Sequence, residues 1–137
     1  MPKTMKANAD EIQYNGAGIF HLNSGRMTNA AAEVLGNSFV APCDLYIHSV
    51  HYAIDTQFTH ASSNLNLGLL SDTDAYIDGI ALQNVAVGSY EVDMTAADVV
   101  LRRIPKGAVI CFGLDAADTT GKISATAVLV PYSPTGS

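Results

Sequence analysis

Few residues of this 137-residue chain combine a reactive type with a spacing that could do chemistry. The four histidines come first, because imidazole binds metals and exchanges protons near neutral pH. His48 and His51 are three residues apart, a spacing that sends strand side chains to opposite faces rather than to one metal. His21 and His60 have no acidic or cysteine neighbour at a ligand spacing. We therefore predict no metal-binding residues and interpret the histidines as surface or strand-packing side chains.

An acidic segment at 71–79 is the next candidate, because its three aspartates could supply oxygen ligands to calcium. A calcium loop of the EF-hand type needs glycine at its sixth position and glutamate at its twelfth. Counted from Asp72, those positions hold Ile77 and Gln83, so the pattern fails. An irregular calcium site stays open as an alternative, and we favour an acidic, solvent-exposed turn.

No motif for catalysis or cofactor binding stands out. Gly16 and Gly18 lack the third glycine of a dinucleotide-binding loop, since His21 occupies its place. The sequence contains no phosphate-binding P-loop and no Gly-x-Ser-x-Gly nucleophile motif, and no pair of carboxylates is singled out for acid–base work. We predict that the protein is not an enzyme and has no catalytic or cofactor-binding residues.

Charge and composition limit the classes of partner. Thirteen acidic and seven basic residues give a net charge of −6 and an isoelectric point near 4.8, whereas nucleic acid requires a basic surface. No apolar run approaches the ~18 residues of a membrane span. We predict neither a nucleic-acid nor a membrane partner. Only 15% of the residues are charged, compared with about 25% in ordinary soluble domains. We therefore expect other proteins to cover part of the surface.

The two cysteines, Cys43 and Cys111, are interpreted as reduced and packed. The first residues lack the apolar core of a signal peptide, so nothing directs the chain to an oxidising compartment. A disulfide would require Cα atoms within about 7 Å of each other, which the sequence does not show.

The elements that position these residues are predicted to be strands. Short segments rich in β-branched and aromatic residues alternate with Gly, Pro and Asp turns, as is typical of a sandwich or barrel. They span 38–41, 44–54, 64–70, 90–94, 99–104, 108–114 and 122–129. We predict one all-β domain at 11–137, an antiparallel β-sandwich or a jelly-roll-like barrel, preceded by an N-terminal arm at 1–10.

Local patterns add detail to these strands. In 44–54 the apolar residues change parity, which indicates either a bulge near His48 or a strand buried on both faces. The segment 64–70 alternates cleanly and is predicted to be half-buried. Residues 30–35 are predicted to form a short helix or a loop. The last two strands, joined by a polar loop, are predicted to pair as a hairpin.

Parts of this sequence resemble small head proteins of tailed phages. The run at 38–50, in which an apolar-Pro stretch precedes a strand ending in Ser-Val, looks like a recurring opening of those proteins. The runs at 104–110, 112–121 and 126–131 are similar to their closing hairpin, with its glycine turn, Thr- and Gly-rich loop and final strand near proline. The resemblance covers residues 37–132 and consists of strands and turns rather than an invariant motif.

The resemblance implies a capsid decoration (cement) protein without catalytic residues. Such proteins are β-rich and often trimeric, and they clamp neighbouring major capsid protein subunits from the capsid exterior. Assembly onto the head would take place in the host cytoplasm. The resemblance also implies that the arm at 1–10 contacts the capsid, with Lys3 and Lys6 suited to an acidic surface. An unstructured tail is the alternative for these residues.

Three further basic residues are candidates for a partner interface. Arg26, Arg102 and Arg103 belong to the few cationic side chains that could pair with a partner's carboxylates. Arg102 and Arg103 are neighbours on a predicted strand, so we expect their side chains on opposite faces and at most one at an interface there.

Two other functions stay open. A carbohydrate- or receptor-binding β-sandwich module (head fibre or adhesin) is the main alternative, although the absence of Trp, a favoured platform for sugars, counts against it. A small hydrolase or a metal-binding cupin-like barrel is a third reading, which the histidine spacing argues against.

Overall fold

The described part of the chain is built from strands. The computed structural model describes residues 19–29, 33–115 and 118–131, and contains no helix within these ranges. The strands in chain order are β1 (Phe20–Asn29), β2 (Glu33–Val40), β3 (Leu45–Thr56), β4 (Asn64–Leu69), β5 (Asp72–Ala81), β6 (Gly88–Glu91), β7 (Arg103–Ile104), β8 (Val109–Asp115) and β9 (Asp118–Pro131). The predicted arm at 1–10, with Lys3 and Lys6, lies outside the described residues.

The strands form two antiparallel sheets. A five-stranded sheet has the order β1-β9-β3-β6, with β7 also paired to β3, and a four-stranded sheet has the order β2-β8-β4-β5. This arrangement confirms the all-β sandwich, whereas the barrel alternative is wrong because the sheets do not close on each other. The predicted hairpin of the last two strands is also wrong. The chain leaves β8 in one sheet and enters β9 in the other.

The core lies between the sheets and follows the period-two pattern most clearly in β9. Ile123, Ala125, Ala127 and Leu129 are buried, and the side chains between them are only partly covered. Burial of the large apolar side chains supplies the main stabilising free energy of such a fold. The largest fully buried side chains include Tyr76, Phe58, Phe112, Leu45, Ile47 and Ile54.

A β-bulge at His48 explains the change of parity in β3. Ile47 is opposite Leu129 of β9, but Ser49 is opposite Val128, so His48 is an extra residue in the pairing. The bulge explanation is therefore confirmed. The prediction that His48 and His51 lie on opposite faces assumed strict alternation, which the bulge interrupts between them. Both imidazoles are exposed.

The four-stranded sheet is covered more fully than alternation predicts. In β4 and β8 the side chains predicted to face outward are also buried, among them Asn66 and Cys111. The pairing of β4 with β5 shifts twice. Between Leu65 and Leu67 the Gly79 amide donates to Asn66 Oδ1 (2.7 Å), and between Leu67 and Leu69 the backbone of Asp72 and Thr73 lies against Gly68. Residues 72–76, here called the β5 arch, therefore pass over the outer face.

Two contacts fix the β5 arch on the outer face. A side chain at Gly68 would overlap the backbone of Asp72 and Thr73, so glycine permits the close approach. The Thr73 Oγ1 donates a hydrogen bond to Glu33 Oε2 on β2 (2.9 Å), although β8 and β4 lie between β2 and β5 in the sheet. The three aspartates of 71–79 are exposed as predicted, but the predicted turn is wrong, since most of the segment belongs to β5.

The strands β1 and β2 contain many polar residues, so the sequence pattern did not predict their full extent. Neither helix nor loop occupies the described end of 30–35, because β2 begins at Glu33 and continues to Val40. In β1, Gly25 adopts a φ of 71° at a register shift. The buried Ser24 Oγ there accepts a hydrogen bond from the Ala125 amide (2.9 Å). The Ser24 hydroxyl oxygen thus accepts a hydrogen bond from a backbone amide of the neighbouring strand. A buried polar side chain is therefore satisfied at this position of β1.

Candidate interaction surfaces

Arg26 lies on the outer face of the five-stranded sheet. Its Nη2 is 2.6 Å from Oδ2 of Asp55 on β3, and the contact passes over Ser124 of the intervening strand β9. The two side chains are 63% and 40% exposed. Exposed ion pairs of this kind contribute about 0–1 kcal/mol, so a partner's carboxylate could compete for Arg26.

The Arg102 side chain contacts strand β3 of the same chain. Its Nε and Nη2 donate to the carbonyl oxygen of Ile47 (3.0 and 2.8 Å), and Nη2 also donates to that of His48 (3.2 Å). The guanidinium carbon lies 4.5 Å from the centre of the Tyr46 ring, within cation–π distance. The Ile47 amide in turn donates to the Arg102 carbonyl (2.8 Å). Arg102 therefore holds the bulged part of β3.

Arg103 follows Arg102 in the chain and is the first residue of strand β7. The predicted strand at 99–104 is reduced to β7, so Arg102 precedes the strand and turns back toward Tyr46. Arg103 is exposed and directly opposite Tyr46 in register. The structure thus brings both arginines to Tyr46 instead of separating them by strand alternation. That any of the three arginines contacts a partner stays a prediction.

Replacing Arg102 with alanine is expected to lower the free energy of unfolding by about 1.5–3 kcal/mol, the range for hydrogen bonds that involve a charged group. The matched control Arg26→Ala is expected to cost less than about 1 kcal/mol. Urea unfolding of both variants at one ionic strength measures the difference. An equal or larger loss for Arg26→Ala would mean that Arg102 does not hold the bulge.

The outer face of the five-stranded sheet carries polar side chains around Thr126 and the partly exposed Val128 and Val130 further along β9. Asn23 Nδ2 donates to Thr126 Oγ1 (3.3 Å), and His51 Nε2 is 3.2 Å from Ser49 Oγ. A shallow, open depression of about 130 Å³ lies on this face. Its lining residues are His51, Tyr52, Ala53, Ser89, Ser124 and Thr126. Hydroxyl and imidazole groups of this kind can form hydrogen bonds with a polar ligand.

Metal-binding and thiol groups show no assembled site in the described ranges. No group of three or more His, Cys, Asp or Glu side chains there could hold a metal ion. Cys43 is half-buried and Cys111 is buried, and neither forms a disulfide. Burial, followed by the negative charge of Glu33, raises the pKa of the Cys111 thiol. Among the same residues, no helix has the length and apolarity to cross a membrane.

The outer face of the four-stranded sheet exposes aliphatic side chains at one end. Val40 of β2 is opposite Val109 of β8, and the Leu70 amide donates to the Val109 carbonyl (3.2 Å). These three residues, here called the aliphatic row, are aligned across β2, β8 and the residue that directly follows β4. Val40 is 59% exposed and Leu70 is 51% exposed. The sequence analysis did not identify this surface.

The β5 arch places carboxylates beside the aliphatic row. Asp72 is two residues from Leu70, and both Asp72 and Asp74 are exposed. A hydrogen bond with Asp74, then local loss of hydration and the Asp74 charge, raise the pKa of the Asp72 carboxyl. Together the row and the arch form a surface with an aliphatic centre and an acidic margin.

Comparisons with known proteins give one similarity to report. No protein-family model matches the chain, and no curated protein matches it significantly. Among solved structures the chain is similar to one from the cyanophage Pam1 capsid asymmetric unit, with 14% sequence identity and a TM-score of 0.49. The similarity covers 83% of this chain and 82% of the other. At this identity and TM-score the likeness does not by itself assign a function.

Proposed function

We propose that the chain is a non-enzymatic capsid decoration (cement) protein that binds the outer surface of a phage head and stabilises the shell. The observation that carries the proposal is the aliphatic row, which a hydrogen-bonded sheet holds in place at the surface. Exposed aliphatic side chains grouped on one face are typical of protein contact sites. The sequence resemblance to phage head proteins, which covers residues 37–132, supports the capsid as the partner.

The physical role of such a protein is to add binding free energy between capsid subunits. A preformed β-sandwich loses little conformational entropy when it binds, so more of the contact energy appears as affinity. Many copies on one shell act together, and a homotrimer of the chain would gain further from avidity. The partner under this proposal is the major capsid protein.

Binding to capsids that lack the chain tests the proposal. We expect purified protein to bind such shells at micromolar concentration or below, and to raise the temperature at which they break open. Sedimentation with shells and light scattering during heating measure the two effects. Absence of binding at micromolar concentration would contradict the proposal.

A carbohydrate- or receptor-binding module is the second candidate, favoured by the polar depression on the five-stranded sheet. Ser89, Ser124, Thr126 and His51 present hydroxyl and imidazole groups to one open surface. A glycan array tests this candidate directly. Binding of a glycan that Ser124→Ala abolishes would support it, and an array without hits would remove it.

A further inference from the structure

The outer faces of the two sheets differ in the kind of side chain that they expose to water. On the five-stranded sheet, polar side chains bind one another, as Arg26 does Asp55 and Asn23 does Thr126. On the four-stranded sheet, the aliphatic row leaves apolar area in water. Each exposed Å² of apolar surface has a favourable free energy of transfer into a contact, whereas paired polar groups must first be desolvated.

The acidic margin of the aliphatic row indicates what its partner carries. Asp72 and Asp74 are both exposed on the β5 arch, and Asp72 is two residues from Leu70. Cationic side chains of a partner that covers the row could form ion pairs with these carboxylates. Acidic residues at this margin would repel an acidic patch, so the part of the capsid that meets the β5 arch must differ in charge from the acidic surface expected opposite Lys3 and Lys6.

We infer that the aliphatic row and the β5 arch form the capsid-facing surface, and that the capsid surface it meets has an aliphatic centre flanked by Lys or Arg. This inference rests on the proposed function and adds to it the face that binds and the chemistry of the partner. The contact divides into two parts. Val40, Val109 and Leu70 supply the apolar centre, and Asp72 and Asp74 supply the charged margin.

Paired substitutions in the row test the apolar part. Val40→Ser with Leu70→Ser is expected to weaken binding to shells lacking the chain by at least about tenfold, from loss of apolar contact. Val87→Ser with Val100→Ser is the matched control, because these side chains are 65% and 62% exposed outside the row. We expect the control pair to bind like the unmodified protein, and thermal unfolding checks that both variants are folded.

Charge removal tests the margin. Asp72→Asn with Asp74→Asn is expected to weaken binding and to reduce its dependence on salt concentration, because fewer ion pairs are screened. Glu91→Gln with Asp98→Asn removes the same charge from exposed positions outside the arch and is expected to have little effect. A salt dependence that both pairs leave unchanged would overturn the charged part of the inference.

The remaining outcomes separate the inference from the proposed function. If the unmodified protein does not bind shells, the proposed function fails and the inference fails with it. If the unmodified protein binds and the Val40/Leu70 pair binds equally well, only the inference fails. If that pair instead dissociates an oligomer of the chain while shell binding persists, the row is a contact between copies, and the inference is again overturned.

Discussion

Replacing Phe58 with alanine is expected to lower the free energy of unfolding by about 3–5 kcal/mol, as for other large aromatic side chains removed from a core. Phe58 lies in the connection between β3 and β4, and it is completely buried. Its carbonyl oxygen accepts a hydrogen bond from the Asn84 amide (2.7 Å), which fixes the backbone beneath the ring. The cavity could therefore collapse only partly. Urea unfolding of Phe58→Ala measures the loss, and Gln57→Ala at the exposed neighbouring position is the control.

Gly121 of β9 supplies an independent check on the position of the Phe58 ring. A Cβ at Gly121 would overlap that ring, so Gly121→Ala alone is expected to cost about 1–3 kcal/mol or more through overpacking. In the Phe58→Ala background the same methyl group enters the vacated space and should cost much less. A double-mutant cycle measures this coupling. Strictly additive losses would show that the ring does not lie on β9.

Replacing Gly68 with alanine is expected to cost about 3 kcal/mol, the upper end of the usual range for overpacking. The added methyl group would overlap the backbone of Asp72 and Thr73, which cannot rotate away as a side chain can. The β5 arch would have to rise from the sheet, and the bond from Thr73 to Glu33 would be lost. Equilibrium unfolding in urea measures the loss of stability.

Gly113→Ala is the matched control for Gly68→Ala. Gly113 is buried in the neighbouring strand β8, but a Cβ there would meet the end of the exposed Leu35 side chain at 3.2 Å. That side chain can move, so we expect a clearly smaller loss of stability. Equal losses for the two variants would contradict the placement of the β5 arch over the sheet.

Patterns within single strands were predicted from the sequence, because they depend on local alternation. The alternating apolar residues of β9 face the core as expected. In β3, the parity change between Ile47 and Val50 predicted either a bulge near His48 or burial on both faces, and the pairing with β9 shows the bulge. One extra residue reverses the faces of all residues that follow it, so the sequence carries the change of parity and the pairing reveals its cause.

Contacts between distant segments were not predicted. The polar residues after β8 are compatible with a hairpin, but β8 pairs with β2 and β4, and β9 pairs with β1 and β3. The burial of Cys111 depends on elements contributed by other strands, including the β5 arch. Alternation within a strand cannot show what another segment places on its outer face.

The candidate interface was only partly accessible to sequence reasoning. The arginines were chosen as scarce cations, yet Arg102 is engaged by backbone carbonyls and Arg26 by Asp55. The aliphatic row was missed because its members come from two strands and a turn that are distant in sequence. A signal was present, since Val40, Val109 and Leu70 are each adjacent to an apolar residue that packs into the core. On a strand, one member of such a pair must face outward.

Counting the copies of this chain in purified, intact phage particles tests capsid decoration most directly. Under the proposal a phage encodes the chain, and quantitative mass spectrometry of its particles would give the ratio of the chain to the major capsid protein. We predict a constant ratio that persists through repeated purification. Particles without the chain, or with trace amounts that vary between preparations, would contradict the account.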